Sequence, residues 1–312
     1  MKKAKKAKMK EYDLIIVGGG AAGMSAGLYA VRQGLSTLMI AREMGGQLSL
    51  INNIENYLGF MKASGAELIS KFTEQFNNYK IPVEMEEVTD IEIKGKKFLV
   101  RTMSKEFIAK TVLITTGRIS RKLNVPGENR FYGRGISSCT ICDAAFFKGK
   151  TVAVIGTGDS ALHAVLHLSS FAKKIFLLTK YPKLKGEKIR QEKVLELAKA
   201  KKVEIIYETK VTEVHGETSL EGIKFEHKGK TIDLPLNGIF IEIGMNPETD
   251  IIDFLKKTEK NEIIINMKNE TSVPGIFAAG DCTDIPDKQL IIAAGEGAKA
   301  ALSAARYIEM ND

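Results

Sequence analysis

The stretch Tyr12–Ile40, YDLIIVGGGAAGMSAGLYAVRQGLSTLMI, decides the fold. Tyr12 to Val17 is a short, apolar, β-leaning run. Gly18-Gly19-Gly20-Ala21-Ala22-Gly23 follows it. Met24 to Gln33 then has helical spacing, Gly34 ends that helix, and Thr37 to Ile40 reads as a second strand. A bare G-x-G-x-x-G is weak evidence, but between a strand and a helix it carries a mechanism. Gly18 permits the tight turn, Gly20 lets a pyrophosphate approach the backbone, and Gly23 lets the helix pack close to the strand. The positive end of the helix dipole then meets the phosphates. The acidic residue that usually grips a ribose near the end of the second strand is less plain. In Met39-Ile40-Ala41-Arg42-Glu43 only Glu43 qualifies, and it sits late.

The same arrangement recurs downstream. Thr151 to Ile155 reads as a strand and Gly156-Thr157-Gly158-Asp159-Ser160-Ala161 as G-x-G-x-x-A. Leu162 to Phe171 reads as a helix and Lys174 to Leu178 as a strand. Two such units imply two nucleotides and an α/β fold with two Rossmann-like, doubly wound, three-layer domains. Helical spacing also marks Ala66 to Tyr79 and Leu290 to Ile308. Phe98 to Thr102, Thr111 to Thr115, Lys202 to Tyr207 and Asn237 to Gly244 are β-rich, with two hairpin-like stretches before the last of these. The turns Asn124-Val125-Pro126-Gly127 and Gly244-Met245-Asn246-Pro247 read as domain joints.

The chain has 312 residues, enough for two domains with packed cores. Hydrophobic residues make up 44% and charged residues 27%, a globular balance. No apolar run is long enough to span a membrane, and the start lacks the pattern of a signal peptide, so a cytoplasmic protein without a membrane partner is expected. The formal net charge is +8, and six lysines in the first ten residues contribute much of it. They read as a solvated tail. No aromatic residues interleave with them, so no nucleic-acid partner is expected.

Three cysteines exclude a secretory disulfide framework. Two of them, Cys139 and Cys142, stand as C-x-x-C just ahead of the second glycine turn. As a staple the pair is poor. Closing so short a loop constrains the unfolded chain by about 2 kcal/mol, against about 5 for a bridge across more than a hundred residues, such as one from Cys142 to Cys282. Reactivity explains the spacing better, because C-x-x-C geometry lowers a thiolate pKa and keeps a resolving thiol at hand. Asp143 follows directly and suits proton transfer as the disulfide opens and closes. Zinc is not expected. One C-x-x-C lacks a second ligand pair, and His163, His167, His215 and His227 are remote in sequence. His163 and His167 read as an ordinary helix face, and Cys282 as buried packing. A redox disulfide needs two electrons. A flavin in one nucleotide site and a nicotinamide in the other would relay them.

From about Tyr12 to Ile308 the chain resembles the low-molecular-weight thioredoxin reductases, with several motifs in order. Gly18, Gly20, Ala21, Ala22 and Gly23 match that family's FAD pyrophosphate turn. Gly45-Gly46-Gln47-Leu48 and Glu55-Asn56-Tyr57 match stretches that lie along the FAD. Thr115-Thr116-Gly117 is similar to its A-T-G crossover, and Cys139-Thr140-Ile141-Cys142-Asp143 to its redox centre. Thr271 to Asp281 is similar to its late FAD motif, ending Gly280-Asp281, and Lys288-Gln289-Leu290 matches the segment facing the flavin ring. The resemblance implies FAD and NADPH as cofactors. It implies an FAD domain made of residues 1–121 and 248–312, with a pyridine-nucleotide domain, 122–247, inserted. It further implies a homodimer, a rotation of the inserted domain, Cys142 near the flavin, and Cys139 attacking a thioredoxin- or glutaredoxin-like protein.

Lys288 to Ala293 also resembles the flavoprotein subunit of alkyl hydroperoxide reductase. That family carries an extra N-terminal thioredoxin-like domain. This chain has no room for one, so a separate carrier is expected. One departure bears on the electron donor. Where the family commonly has H-R-R and a further arginine for the 2′-phosphate, this chain reads Thr179-Lys180-Tyr181-Pro182-Lys183-Leu184-Lys185. Gly156, Gly158, Asp159, Ser160 and Ala161, with Lys180 and Lys185, are therefore the candidate NADPH residues. NADH, ferredoxin and reduced deazaflavin stay open as donors. A ferredoxin–nicotinamide reductase of similar build lacks C-x-x-C-D, which argues against it. A redox sensor that binds flavin without turnover is the non-enzymatic alternative.

Overall fold

The computed structural model describes residues 10–51 and 54–311; apart from Lys10, the lysine-rich tail lies outside them. The chain forms two compact units. The first joins residues up to Ile119 with Pro247 onward, and the second holds Ser120–Asn246. Asn124–Gly127 lies inside the second unit.

The first unit opens with β1 (Glu11–Gly19), α1 (Ala21–Arg32) and β2 (Thr37–Met44), then α2 (Gly65–Asn78) and β3 (Val83–Glu84). A meander follows: β4 (Val88–Lys94), β5 (Lys97–Thr102) and β6 (Glu106–Ile114). Then β7 (Arg118–Ser120) leads out of the unit. The second unit begins with α3 (Glu128–Phe131), β8 (Ile136–Ser137) and α4 (Thr140–Asp143). It continues through β9 (Thr151–Gly156), α5 (Asp159–Leu168), β10 (Lys174–Leu178), α6 (Lys188–Lys199) and β11 (Val203–Ile206). The strands β12 (Thr209–His215), β13 (Gly222–His227), β14 (Lys230–Pro235) and β15 (Gly238–Glu242) complete it. The chain returns through β16 (Met245–Pro247), adds β17 (Ile276–Ala278) and ends in α7 (Leu290–Asn311).

In the first unit the strand order is β3-β2-β1-β6-β5-β4, with β17 also on β6. The pairs around β1 are parallel and the meander is antiparallel. Strand alternation splits the core. Leu14, Ile16 and Met39 face the helices, with Ala26, Ala300 and Ala304. Ile15, Val17 and Leu38 face Val88, Ile91 and Val100 of the meander, with Ile252 and Ile263 of the return. Small residues let α1 and α7 touch: a Cβ on Gly297 would lie 2.0 Å from the Ala22 carbonyl oxygen. This contact, and the pairing of β17 with Val112–Ile114 of β6, make the unit discontinuous in sequence.

The second unit repeats the plan. Its parallel sheet runs β11-β10-β9-β15-β8. Val152, Val154 and Leu177 face α5 and α6. Ala153, Ile155 and Ile239 face Val214, Ile223 and Phe225 of the antiparallel β12-β13-β14 layer. In both units the third layer is thus built from antiparallel strands. No helix among the described residues is long and apolar enough to cross a membrane.

Candidate active site

The first glycine turn sits where β1 ends and α1 begins. Gly18 has φ +115°, and a Cβ there would lie 2.4 Å from the Thr115 carbonyl oxygen. A Cβ on Gly23 would lie 2.0 Å from the Gly18 carbonyl oxygen. Both glycines are therefore needed for packing. Gly20, the N-cap of α1, differs: nothing lies within 4 Å of its Cβ position. The first turn of α1 carries no acidic side chain, so its positive end is not neutralised locally. Ala21 and Ala22 are buried beside the turn. The strand β2 runs on to Met44, four residues past the Ile40 end expected from sequence. Gly19 pairs with Met44, so exposed Glu43 stands next to the strand end, beside the turn.

Five further stretches gather in this unit. The Gly46 Cβ position is 3.5 Å from the Gly20 Cα. Gln47 Nε2 donates to the Arg118 carbonyl at 3.3 Å. Thr116 Oγ1 donates to the Glu248 carbonyl at 2.5 Å, and the Glu248 N–H donates to the Gly117 carbonyl at 3.0 Å. Asn56 Nδ2 donates to Gln289 Oε1 at 3.1 Å. Gly280 approaches Ala22, its Cβ position being 3.1 Å from the alanine Cβ. Leu290 opens α7 and packs against Ala21 and Leu48. Burial raises the Asp281 carboxyl, and nearby Arg118 and Lys288 oppose the shift. Arg118 and Glu262, which lie in no motif, turn out to be central here: Glu262 ion-pairs with both Arg118 and Lys288.

The second unit holds the cysteines. Cys139 and Cys142 form a disulfide with Cα atoms 5.4 Å apart. Cys139 is the N-cap of α4, and its Sγ accepts the Cys142 N–H at 3.1 Å. Ser137 Oγ accepts the Cys139 N–H at 2.9 Å, and the Cys139 carbonyl accepts the Asp143 N–H at 3.2 Å. Cys142 is exposed, while Cys139 and Asp143 are half-buried. Phe146, four residues past Cys142, is 73% exposed. Cys282 is a free, buried thiol whose pKa burial raises.

The second glycine turn matches the first in its logic. A Cβ on Gly156 would lie 2.3 Å from the Glu242 carbonyl oxygen and 2.7 Å from the Ala161 Cβ. Nothing lies near the Cβ position of Gly158, the N-cap of α5. Ala161 is buried and Ser160 exposed. Asp159 is engaged within the fold: its Oδ1 accepts the Glu187 N–H at 2.9 Å and faces Arg190 Nη1 at 3.2 Å. The loop after β10 also folds onto the turn, the Lys185 N–H donating to the Thr157 carbonyl at 2.9 Å. Lys180 Nζ and Lys185 Nζ lie 5.2 and 3.6 Å from the Tyr181 ring centroid. Burial raises the Glu242 carboxyl to about 7, at the strand end paired with Gly156.

His163 and His167 stack with ring centroids 6.4 Å apart. Burial, then His167 and Arg190, lower the His163 pKa. Among the described residues no group of three or more His, Cys, Asp or Glu is placed to hold a metal ion.

Known proteins share this build. The chain is 36% identical over 310 residues to a subunit of the alkyl hydroperoxide reductase of Escherichia coli K12. The match covers 96% of the chain but 59% of that protein, so the chain spans about three fifths of this curated relative's length. Among solved structures, thioredoxin reductase of Lactococcus lactis aligns with a TM-score of 0.86 at 33% identity, over 96% of this chain and 99% of that one. Thioredoxin reductase of T. acidophilum aligns at 0.82 and 34%, over 97% and 100%. The family model for pyridine nucleotide-disulphide oxidoreductases matches residues 12–304. The chain therefore belongs to the pyridine nucleotide-disulphide oxidoreductase family and has the two-domain build of its low-molecular-weight thioredoxin reductases.

Proposed function

We propose that this chain is an FAD-dependent disulfide reductase. It takes electrons from NADPH and passes them through FAD and the Cys139–Cys142 pair to a thioredoxin- or glutaredoxin-like carrier. The first unit holds the FAD and the second the nicotinamide nucleotide; the working form is a cytoplasmic homodimer. The observation that carries the proposal is the Cys139–Cys142 disulfide, held at the start of α4 in a chain with two open glycine turns.

The first unit suits FAD. Gly20 leaves the space a diphosphate needs, at a helix start free of acidic side chains. Asp281, Thr116 and the Asn56–Gln289 pair supply polar groups in the same unit. When bound, FAD supplies two-electron transfer between the nicotinamide and the disulfide.

The chain's own residues complete the exchange. In the reduced pair, the Cys142 N–H that reaches Cys139 Sγ stabilises a thiolate on Cys139. That thiolate attacks the carrier disulfide, forming a mixed disulfide and expelling one carrier thiolate. Cys142 Sγ, as its thiolate, then attacks Cys139 Sγ. The 139–142 bond re-forms, the second carrier sulfur leaves, and two electrons have moved to the carrier. Asp143 takes the Cys142 proton and returns it to a departing carrier thiolate. Exposed Phe146 offers the carrier an apolar contact beside the pair.

Cys139→Ser and Cys142→Ser should each abolish carrier reduction while leaving flavin reduction by the donor intact. Anaerobic titration should show uptake of four electrons per FAD in the wild type and two in either variant. Full carrier turnover by either variant overturns the assignment.

A second reading concerns the carrier. The curated relative is part of an alkyl hydroperoxide reductase, which favours a carrier that feeds a peroxide-reducing protein. The loop Thr179–Lys185, without arginines, keeps NADH, ferredoxin and deazaflavin as alternative donors. Stopped-flow flavin reduction with each donor in parallel separates them.

A further inference from the structure

Glu262 is in contact with both Arg118 and Lys288. Its Oε1 lies 2.5 Å from Arg118 Nη2 and 3.1 Å from Lys288 Nζ. The three side chains are 12%, 23% and 15% exposed, respectively. Each cation has one further anchor: Arg118 Nε donates to the Asp281 carbonyl at 3.2 Å, and Lys288 Nζ to the Thr283 carbonyl. Burial works to raise the Glu262 carboxyl, but Lys288 and Arg118 outweigh it and hold the group below its ordinary range. Glu262 is therefore ionised and bridges two cations that come from distant parts of the chain. Arg118 follows Thr116-Gly117, and Lys288 precedes Gln289-Leu290.

We propose that Glu262 is a positioning residue: it holds Arg118 and Lys288 in place and sets the net charge beside the flavin. This rests on FAD occupying the first unit with its ring beside Lys288-Gln289-Leu290, the segment whose motif resemblance implies that it faces the flavin. The charge count gives the sign. Asp281 also lies near both cations, and whatever charge it carries, a neutral residue at 262 leaves the group one unit more positive. Added positive charge favours the more negative, reduced form of the cofactor, so the reduction potential rises. The contacts are largely shielded from water, so the effect is screened less than that of a surface pair.

The test uses flavin-loaded wild type, Glu262→Gln, Glu262→Asp, Arg118→Gln and the double variant Glu262→Gln/Arg118→Gln. Flavin content, visible spectrum and spectroelectrochemical potential are read for each. Glu262→Gln should shift the reduction equilibrium at least tenfold toward the reduced form, about 30 mV for a two-electron couple. Glu262→Asp should stay within threefold of wild type. Arg118→Gln should shift the opposite way, and the double variant should return toward wild type. A role in folding alone would not give this charge-dependent reversal. Should Glu262→Gln fail to fold, the step from Arg118→Gln to the double variant carries the same tenfold expectation.

Unchanged potentials in variants that hold flavin overturn the role of Glu262 and leave the FAD assignment standing. A wild type that neither carries nor takes up flavin overturns both.

Discussion

Two alanine substitutions in the first glycine turn should separate folding from cofactor binding. At Gly23 the added Cβ would lie 2.0 Å from the Gly18 carbonyl oxygen and 2.9 Å from Thr115 Oγ1. The nearer atom is backbone, so no rotamer change relieves the clash, and β1 and α1 must move apart. Overpacking of this kind costs about 1–3 kcal/mol. In a domain of this size each kcal/mol lowers the melting temperature by about 2–4 °C. At Gly20 the added Cβ meets nothing within 4 Å, and φ −73°, ψ −174° is open to any residue. Alanine there gains about 0.4–1 kcal/mol from a less flexible unfolded chain and loses a similar amount as a poorer N-cap. The flavin-free Gly20→Ala protein should therefore melt close to wild type. At the proposed FAD site, however, its methyl group stands in the path of the diphosphate, so flavin affinity should fall at least tenfold. The flavin-dependent part of the stability falls with it, because a ligand at a thousandfold excess over its Kd contributes about 4 kcal/mol. The assay is thermal melting of both variants with and without added FAD, together with flavin retained per chain on gel filtration. Wild-type flavin retention by Gly20→Ala would refute the placement of the diphosphate. A wild-type melting temperature for flavin-free Gly23→Ala would refute the packing argument.

Two further outcomes follow from the second unit. The Glu242 carboxyl titrates near 7 in the folded protein instead of its ordinary 4.5, because it is desolvated. The folded state thus holds this proton more tightly than the unfolded chain, so the associated stability is complete below about pH 4.5 and is lost as pH rises through 7. The loss is at most about 3 kcal/mol. Urea midpoints at pH 5 and 8 should differ more for wild type than for Glu242→Gln, which should be the more stable of the two at pH 8; equal pH dependence would sink the assignment. Replacing both Lys180 and Lys185 by alanine should raise the KM for NADPH at least tenfold, weaken its salt dependence, and leave the KM for NADH nearly unchanged. If both nucleotides shift together, the 2′-phosphate is not held by these lysines.

Local chemistry wrote much of this protein plainly. Both glycine turns, the strands and helices flanking them, the C-x-x-C-D run and the α7 segment follow from short-range rules. A turn that needs φ > 0 or a close carbonyl accepts only glycine, and a buried parallel strand reads as an unbroken apolar run. Where burial is thin the signal fades. Helix α6 has Val194 as its one fully buried residue, with half-buried Leu197 and Ala198 beside it, so its apolar stripe is short and set among charged residues. Strand β2 runs on into exposed Arg42 and Glu43, which no periodicity predicts, and only the paired strand shows that Glu43 reaches the turn.

Local elements and the chemistry of the sulfurs are legible along the chain, because both depend on neighbours a few residues away. Tertiary structure alone decided three things. It set the third layer of each unit in antiparallel strands. It turned Asp159 to Glu187 and Arg190 within the fold. And it brought Arg118, Glu262 and Lys288 to one point, although 144 residues separate the first two. Ionic and packing contacts across such distances depend on how the sheet is wound and on where β17 and α7 return, and no short window of sequence encodes that.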